Sequence, residues 1–405
     1  MVALSFSAFG EPEYPGFREP PHDYQKRIPT DVFTRIKDDL QTGKIKLDQS
    51  SEKACVESLL RSLEISPSSQ LLVFSTTSLQ LSRISPANPR AIYFNEDLYI
   101  GWVPGGRIEV IGIDPEWGSI TYIFDVPQGG KPPLIQRSTR CMNCHASVEI
   151  GDAPGLLISS VVPGPGGGSL EGFRQEETGH GIAWADRFGG WHLTGKHDIK
   201  KHWGNLTGEL SKAGLKKIPN QPGQHFRLQR YPVPSSDALA HLLLEHQVGF
   251  VNRFISATYR ARAVLAGAVE EINESEVDAF LEKEASVLTR YLLFADEVKF
   301  PTGGIAGEVS LKNHFQARAR RASDGLSLRD FDLKTRMFRY RCSYMIHSAS
   351  FQGLPTQLMS RVFTRMNAAL SLEEPLPEYA YLPVSEKRII RRILRDTLPL
   401  LPKDW

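Results

Sequence analysis

Leu98-Tyr99-Ile100-Gly101-Trp102-Val103-Pro104-Gly105-Gly106-Arg107-Ile108-Glu109-Val110-Ile111-Gly112-Ile113 decides how the front of this chain folds. Two apolar runs, Leu98 to Val103 and Ile108 to Ile113, flank Gly105-Gly106, a pair suited to a tight reversal between neighbouring strands. The same grammar extends outward. Leu71-Leu72-Val73-Phe74 and Ala91 to Phe94 lie upstream and Ile120 to Val126 downstream, with Asp114-Pro115 and Gly129-Gly130 as further breakers. Short strands joined by short turns predict an antiparallel meander. Ahead of it, a Pro-rich stretch (Pro12 to Pro29) leads into Asp31 to Leu40 and Ser51 to Leu63, whose apolar residues recur at helical spacing. Behind it, Pro127 to Asn205 is rich in glycine and holds five of the eleven histidines. From Ser235 the spacing is helical again, over Ser235 to Glu271, Ser275 to Ala295, Thr356 to Leu370 and Ser385 to Leu398. The expected class is α+β: an antiparallel β-rich N-terminal part, a loop-rich centre and a helical C-terminal part. Residues 1–30 read as a leader and extended segment, 31–205 as the α+β part, and 206–405 as a mainly helical part packed against it in one continuous body.

Composition limits the function. The 405 residues carry 48 Lys+Arg against 46 Asp+Glu, a formal net charge of +2, with 41% hydrophobic and 23% charged residues. That balance is globular, and it provides no broad basic field for nucleic acid. No run approaches the roughly 18 apolar residues of a membrane-spanning helix, so no transmembrane segment is expected. Met1 to Ala8, MVALSFSA, has two readings, a disordered tail or the remnant of a secretory signal.

The chemistry lies in the centre. Cys141-Met142-Asn143-Cys144-His145 is a C-x-x-C-H run, the attachment pattern of haem c. Two thiols three positions apart reach the two vinyl groups on one porphyrin edge, and the following imidazole is placed to bind iron. A dithiol redox motif would need a βαβ context that is not apparent, and a zinc site would need two further ligands. Cys141 and Cys144 are therefore read as the attachment thiols and His145 as an axial ligand. Thioether attachment takes place outside the bacterial cytoplasm, which favours the signal-remnant reading and a periplasmic or exported protein. Cys55 and Cys342 are open between a disulfide and two buried thiols.

Several blocks carry a family resemblance: Leu72 to Ser75, Arg83 to Pro86, Pro89 to Asn95, Tyr99 to Val103, Cys141 to Ala146 with Pro154-Gly155, His180, Arg187 to Trp191, Thr194 to His197, His202 to Asn205, Glu245-His246-Gln247, Leu328 to Leu333 and Cys342-Ser343-Tyr344. Over roughly Leu71 to Leu370 the chain resembles the large single-haem c-type cytochromes of environmental bacteria. Two departures stand out: Thr178-Gly179-His180 where the family has T-D-H, and Trp203 where it tends to have methionine.

The second iron ligand is sought among histidines. Met142 lies inside the motif, and Met337, Met345, Met359 and Met366 all fall in the helical rear. His202, slightly ahead of His197, is the expectation, because both sit beside glycines that permit close approach to a flat macrocycle. His180 ranks lower and His192 lowest. His246, with Leu242, Leu243, Gly249 and Phe250 around it on a helix, reads first as a core histidine. The basic cluster Lys387, Arg388, Arg391, Arg392 and Arg395 reads as the solvated face of an amphipathic helix.

The expected function is electron transfer by a periplasmic single-haem protein working with a redox partner protein. The alternative is a haem c enzyme, peroxidase-like or a small-molecule oxidoreductase, with an open distal site and a small-molecule substrate. A haem-based gas sensor or binder is a minor alternative.

Overall fold

The computed structural model describes residues 13–76, 78–173, 179–270, 272–374, 376–403 and 405. The possible signal remnant, Met1 to Ala8, lies outside them. Two helices open the fold, α1 (Val32–Gln41) and α2 (Glu52–Ser62). Asp31 caps α1 by accepting from the backbone N–H groups of Phe33 and Thr34, and Ser51 caps α2 through Ala54 N–H. Each cap satisfies helix-end donors that would otherwise lack partners.

The meander follows: β1 (Leu71–Val73), β2 (Arg90–Phe94), β3 (Leu98–Trp102), β4 (Arg107–Asp114), β5 (Gly118–Asp125) and a two-residue β6 (Gln136–Arg137). The six strands pair in sequence order, antiparallel throughout. Only β6 was not legible, since two residues carry no periodicity.

Side chains alternate across this sheet, so its faces differ in composition. One face presents Tyr93, Ile100, Trp102, Val110 and Tyr122, which form a closed core with Phe33, Leu40, Val56 and Leu59 of α1 and α2. Gly112 sits where α1 comes closest. A Cβ there would run into the Asp31 carboxylate, which also accepts the Tyr122 hydroxyl at 2.7 Å.

After the sheet come α3 (Met142–His145) and the hairpin of β7 (Ser160–Pro163) and β8 (Ser169–Phe173). A second hairpin pairs β9 (Leu206–Ser211) with β10 (Gly214–Pro219). The glycine-rich run 164–168 is the turn of the first hairpin.

The rear consists of α4 (Ala238–Leu265), α5 (Glu274–Leu292), α6 (Val309–Ala317), the short α7 (Ala349–Gln352), α8 (Thr356–Ala369) and α9 (Val384–Thr397). Helix α4 is buried on nearly every side. Its Leu243, Phe250 and Phe254 share one core with Leu71, Phe94, Tyr99 and Ile113 from the second face of the sheet. On α9, Ile390, Ile393 and Leu394 are buried. Arg391 lies over the Trp405 ring and Arg392 pairs with Asp324, while Lys387 is buried, so the basic cluster is not a purely solvated face. No described helix is long and apolar enough to cross a membrane.

Candidate haem attachment site

The second face of the sheet is closed only in part. Toward the β2–β3 turn it packs on α4, but Ile92, Ile111 and Ile123 remain half-buried. Register aligns Ile92, Gly101, Glu109 and Ile123 in one row across β2 to β5. Arg90, two residues before Ile92, forms an ion pair with Glu109, and each side chain is only 14% exposed. Gly101 leaves the room the guanidinium occupies, for a Cβ there would collide with it. The Arg90 Nε is buried and has no partner.

The attachment segment is fastened to this face at both ends. Before the cysteines, Thr121 Oγ1 donates to Ser138 O and Ser138 N donates to Thr121 O at 2.9 Å. After them, Ser119 Oγ donates to Gly155 O at 2.6 Å. Asn252 of α4 completes the fastening by exchanging two hydrogen bonds, both 2.8 Å, with the Leu156 backbone. Ser119 and Thr121 share the face of Ile123 because residues two apart on a strand point the same way.

A 3₁₀ turn (Thr139–Cys141) running into α3 carries the motif. The thiols, three positions apart, are neighbours on the turn's surface. Cys141 is half-buried, Cys144 is exposed, and both are free. Cys141 Sγ lies 3.3 Å from Ser138 Oγ.

His145 is gripped by a single residue. Gly155 N donates to His145 O at 2.8 Å, and Gly155 O lies 3.2 Å from His145 Nδ1. A carbonyl can only accept, so Nδ1 carries the proton and Nε2 keeps its lone pair. This is the tautomer of a metal-binding imidazole, oriented by a backbone partner. Burial pushes the His145 pKa down; the Gly155 carbonyl opposes this, and Arg90 and Glu109 act in opposite directions. Val148 (79%) and Leu157 (37%), which follow the motif in sequence, are exposed apolar residues.

His197 and His202 stand together, with ring centroids 5.4 Å apart. Neither makes a hydrogen bond or ring contact with the attachment segment among the described residues. His202 packs edge-on to Phe188 at 5.9 Å, and burial, then His197, pushes its pKa down to about 4. Its Nδ1 accepts from Gly204 N–H at 3.1 Å, which leaves the proton of the neutral ring on Nε2. To bind iron through Nε2, this ring has to give up that bond. His197 forms a bridge with Ile305, and its Nδ1 is buried without a partner. Burial lowers its pKa, with Asp198 opposing and Lys200 assisting.

Sequence reasoning missed a pairing between two histidines it had weighed separately. His180 Nδ1 and His246 Nδ1 are 2.9 Å apart, and His246 Nε2 is 2.8 Å from Ser343 Oγ. His246 is thus a core histidine with both nitrogens engaged. Beside it, Arg187 forms a buried ion pair with Glu245 and donates to the His180 carbonyl at 3.1 Å. Spacing offers no signal for this cluster, whose members lie up to 163 positions apart. His192 is buried with neither nitrogen partnered. Cys55 and Cys342 are buried free thiols in separate cores.

Among the described residues, no group of three or more His, Cys, Asp or Glu converges to hold a metal ion. Comparison with known proteins returns no match: no family model, no curated protein and no solved structure is similar to this chain.

Proposed function

We propose that the chain is a single-haem c protein of the periplasm or another exported location, and that it transfers electrons to or from a redox partner. The observation carrying this reading is the His145 tautomer. Beside two free thiols at C-x-x-C spacing, a backbone carbonyl accepts a hydrogen bond from Nδ1–H and leaves the Nε2 lone pair available. Cys141 and Cys144 would hold the haem by thioethers and His145 would ligate its iron. When bound, the group supplies a one-electron Fe(III)/Fe(II) couple. The chain's own residues set its surroundings. Ile92, Ile111 and Ile123 offer apolar surface on the sheet face that carries the segment's anchors. Arg90 and Glu109, paired with each other, place two neutralising charges on the same face. For the second axial position the pair His197 and His202 is retained, and His197 is freer to ligate because no N–H donor occupies its Nδ1.

The alternative, a haem enzyme with an open distal site, also has an observation in its favour. Among the described residues, no histidine outside the motif makes a hydrogen bond or ring contact with the attachment segment, whereas an arginine–glutamate pair lies within electrostatic reach of His145. Such a pair can position a small substrate and hold a proton.

Expression with export and haem-attachment machinery, followed by intact-mass measurement, tests the core of the reading. A mass equal to the bare polypeptide overturns it. The ferric spectrum then separates the two functions. A low-spin wild type that turns high-spin in His197→Ala or His202→Ala supports electron transfer, and a high-spin wild type that binds CO when reduced supports the enzyme.

A further inference from the structure

A cavity of about 380 Å³ lies where the β2–β3 turn, the segment after α6 and the residues around Tyr344 and His347 meet. This volume is at the small-metabolite end of ligand sites. The attachment motif contributes nothing to its lining, so a ligand seated here is independent of the haem.

The charges around the cavity are unevenly satisfied. Arg318 reaches Glu64 at 3.3 Å. Arg329 reaches Glu96 at 2.7 Å, and its guanidinium lies over the Phe315 and Tyr344 rings. Both glutamates are therefore already matched by a guanidinium. Arg320 also lines the cavity, yet it makes no hydrogen bond or ion pair among the described residues. Asp97 accepts from Ala349 N–H at 2.9 Å, and burial pushes its carboxyl up to about 7, so at neutral pH it carries about half a negative charge and does not neutralise an arginine fully. His347 is kept neutral, pushed down to about 4 by burial, then by Arg320 and Arg329. Its Nδ1 is buried and unpartnered. What remains for a ligand is the Arg320 guanidinium, only partly offset by Asp97, beside the neutral His347 ring and Tyr344.

We infer that this cavity binds a small organic oxyanion, seated on Arg320 with the His347 and Tyr344 side chains against the rest of the molecule. A cation would meet an arginine without an ion-pair partner, whereas an oxyanion gains a charge-assisted hydrogen bond from the exposed Arg320 guanidinium. The floor of the cavity is firm. Tyr344 Oη accepts from Gln247 Nε2 at 2.9 Å, and Gln247 Oε1 accepts the Tyr99 hydroxyl at 3.1 Å. The cavity wall is thereby tied to the second face of the sheet.

Carboxylates and phosphates share this chemistry, and titration separates them. The full-length protein as purified is titrated calorimetrically with pyruvate, succinate and inorganic phosphate at pH 7 and constant ionic strength. The expected result is saturable binding of at least one of them, with a Kd at or below about 1 mM. Arg320→Ala should weaken it at least tenfold, and Arg320→Lys should restore part of the loss. Binding of carboxylates alone assigns a carboxylate ligand, and binding of phosphate alone assigns a phosphate ligand. Arg320 makes no hydrogen bond or ion pair among the described residues, so the thermal midpoint of the variants should match wild type, which separates lost binding from lost folding. No saturable binding by wild type to about 20 mM, well beyond that affinity, or equal binding by Arg320→Ala, overturns the inference.

Discussion

The two faces of the six-stranded sheet come from the same strands and have opposite fates. On one, Tyr93, Ile100 and Trp102 are buried to within 1% against α1 and α2. On the other, Ile92, Ile111 and Ile123 stay half-open beside a buried ion pair and a cysteine-bearing turn. Large apolar side chains contribute about 1.5–3 kcal/mol each when fully buried. A face left half-open has forgone part of that stabilisation, and it is the face to which the attachment segment is fastened. The closed face carries the apolar core under α1 and α2, and the other keeps Ile92, Ile111 and Ile123 only half-buried.

The most decisive way to break this division is to remove the thiols. Cys141→Ser with Cys144→Ser should abolish covalent haem entirely by intact mass. The polypeptide's urea midpoint should hardly move, because Cys144 is exposed and surface changes stay within about 0.5 kcal/mol. Covalent haem on the double variant would end the proposal.

Next in size is the closed face. Trp102→Ala leaves a large cavity and should cost about 3–5 kcal/mol in denaturant unfolding. A loss below about 1 kcal/mol, the level of a surface change, would mean that this face is not the stabilising one.

Acid should act through the interior behind the sheet. Burial, and for His241 Arg187, for His246 Arg253, push both pKa values down to about 3. An unfolded chain titrates these groups near 6.5. Below that pH it takes up protons that the folded state refuses. Stability present above pH 6.5 should therefore drain as pH falls toward 3, by about 1.4 kcal/mol per pH unit for each group. His241 has no partner on either nitrogen, so His241→Leu should flatten this slope with little loss at neutral pH. An unchanged slope would place the acid sensitivity elsewhere.

The smallest effect belongs to the open face. Ile123→Ala should cost about 1 kcal/mol in unfolding, because only part of its surface is buried. If it costs as much as Trp102→Ala, the faces are not different in kind.

The sequence by itself determined whatever depends on local order. Strands β1 to β5 and helices α1, α2, α4, α5, α8 and α9 were legible because periodicity and breakers are properties of neighbouring residues. Elements with weak local signals, β6, the β7–β8 and β9–β10 hairpins and α6, were not. Tertiary structure alone decided which sheet face stays open, since alternation marks two faces without saying what covers each. It alone gave His145 its tautomer, through a carbonyl ten residues away. It also brought His180 beside His246 and Arg320 beside His347, because contacts between distant segments exist only once the core has drawn them together.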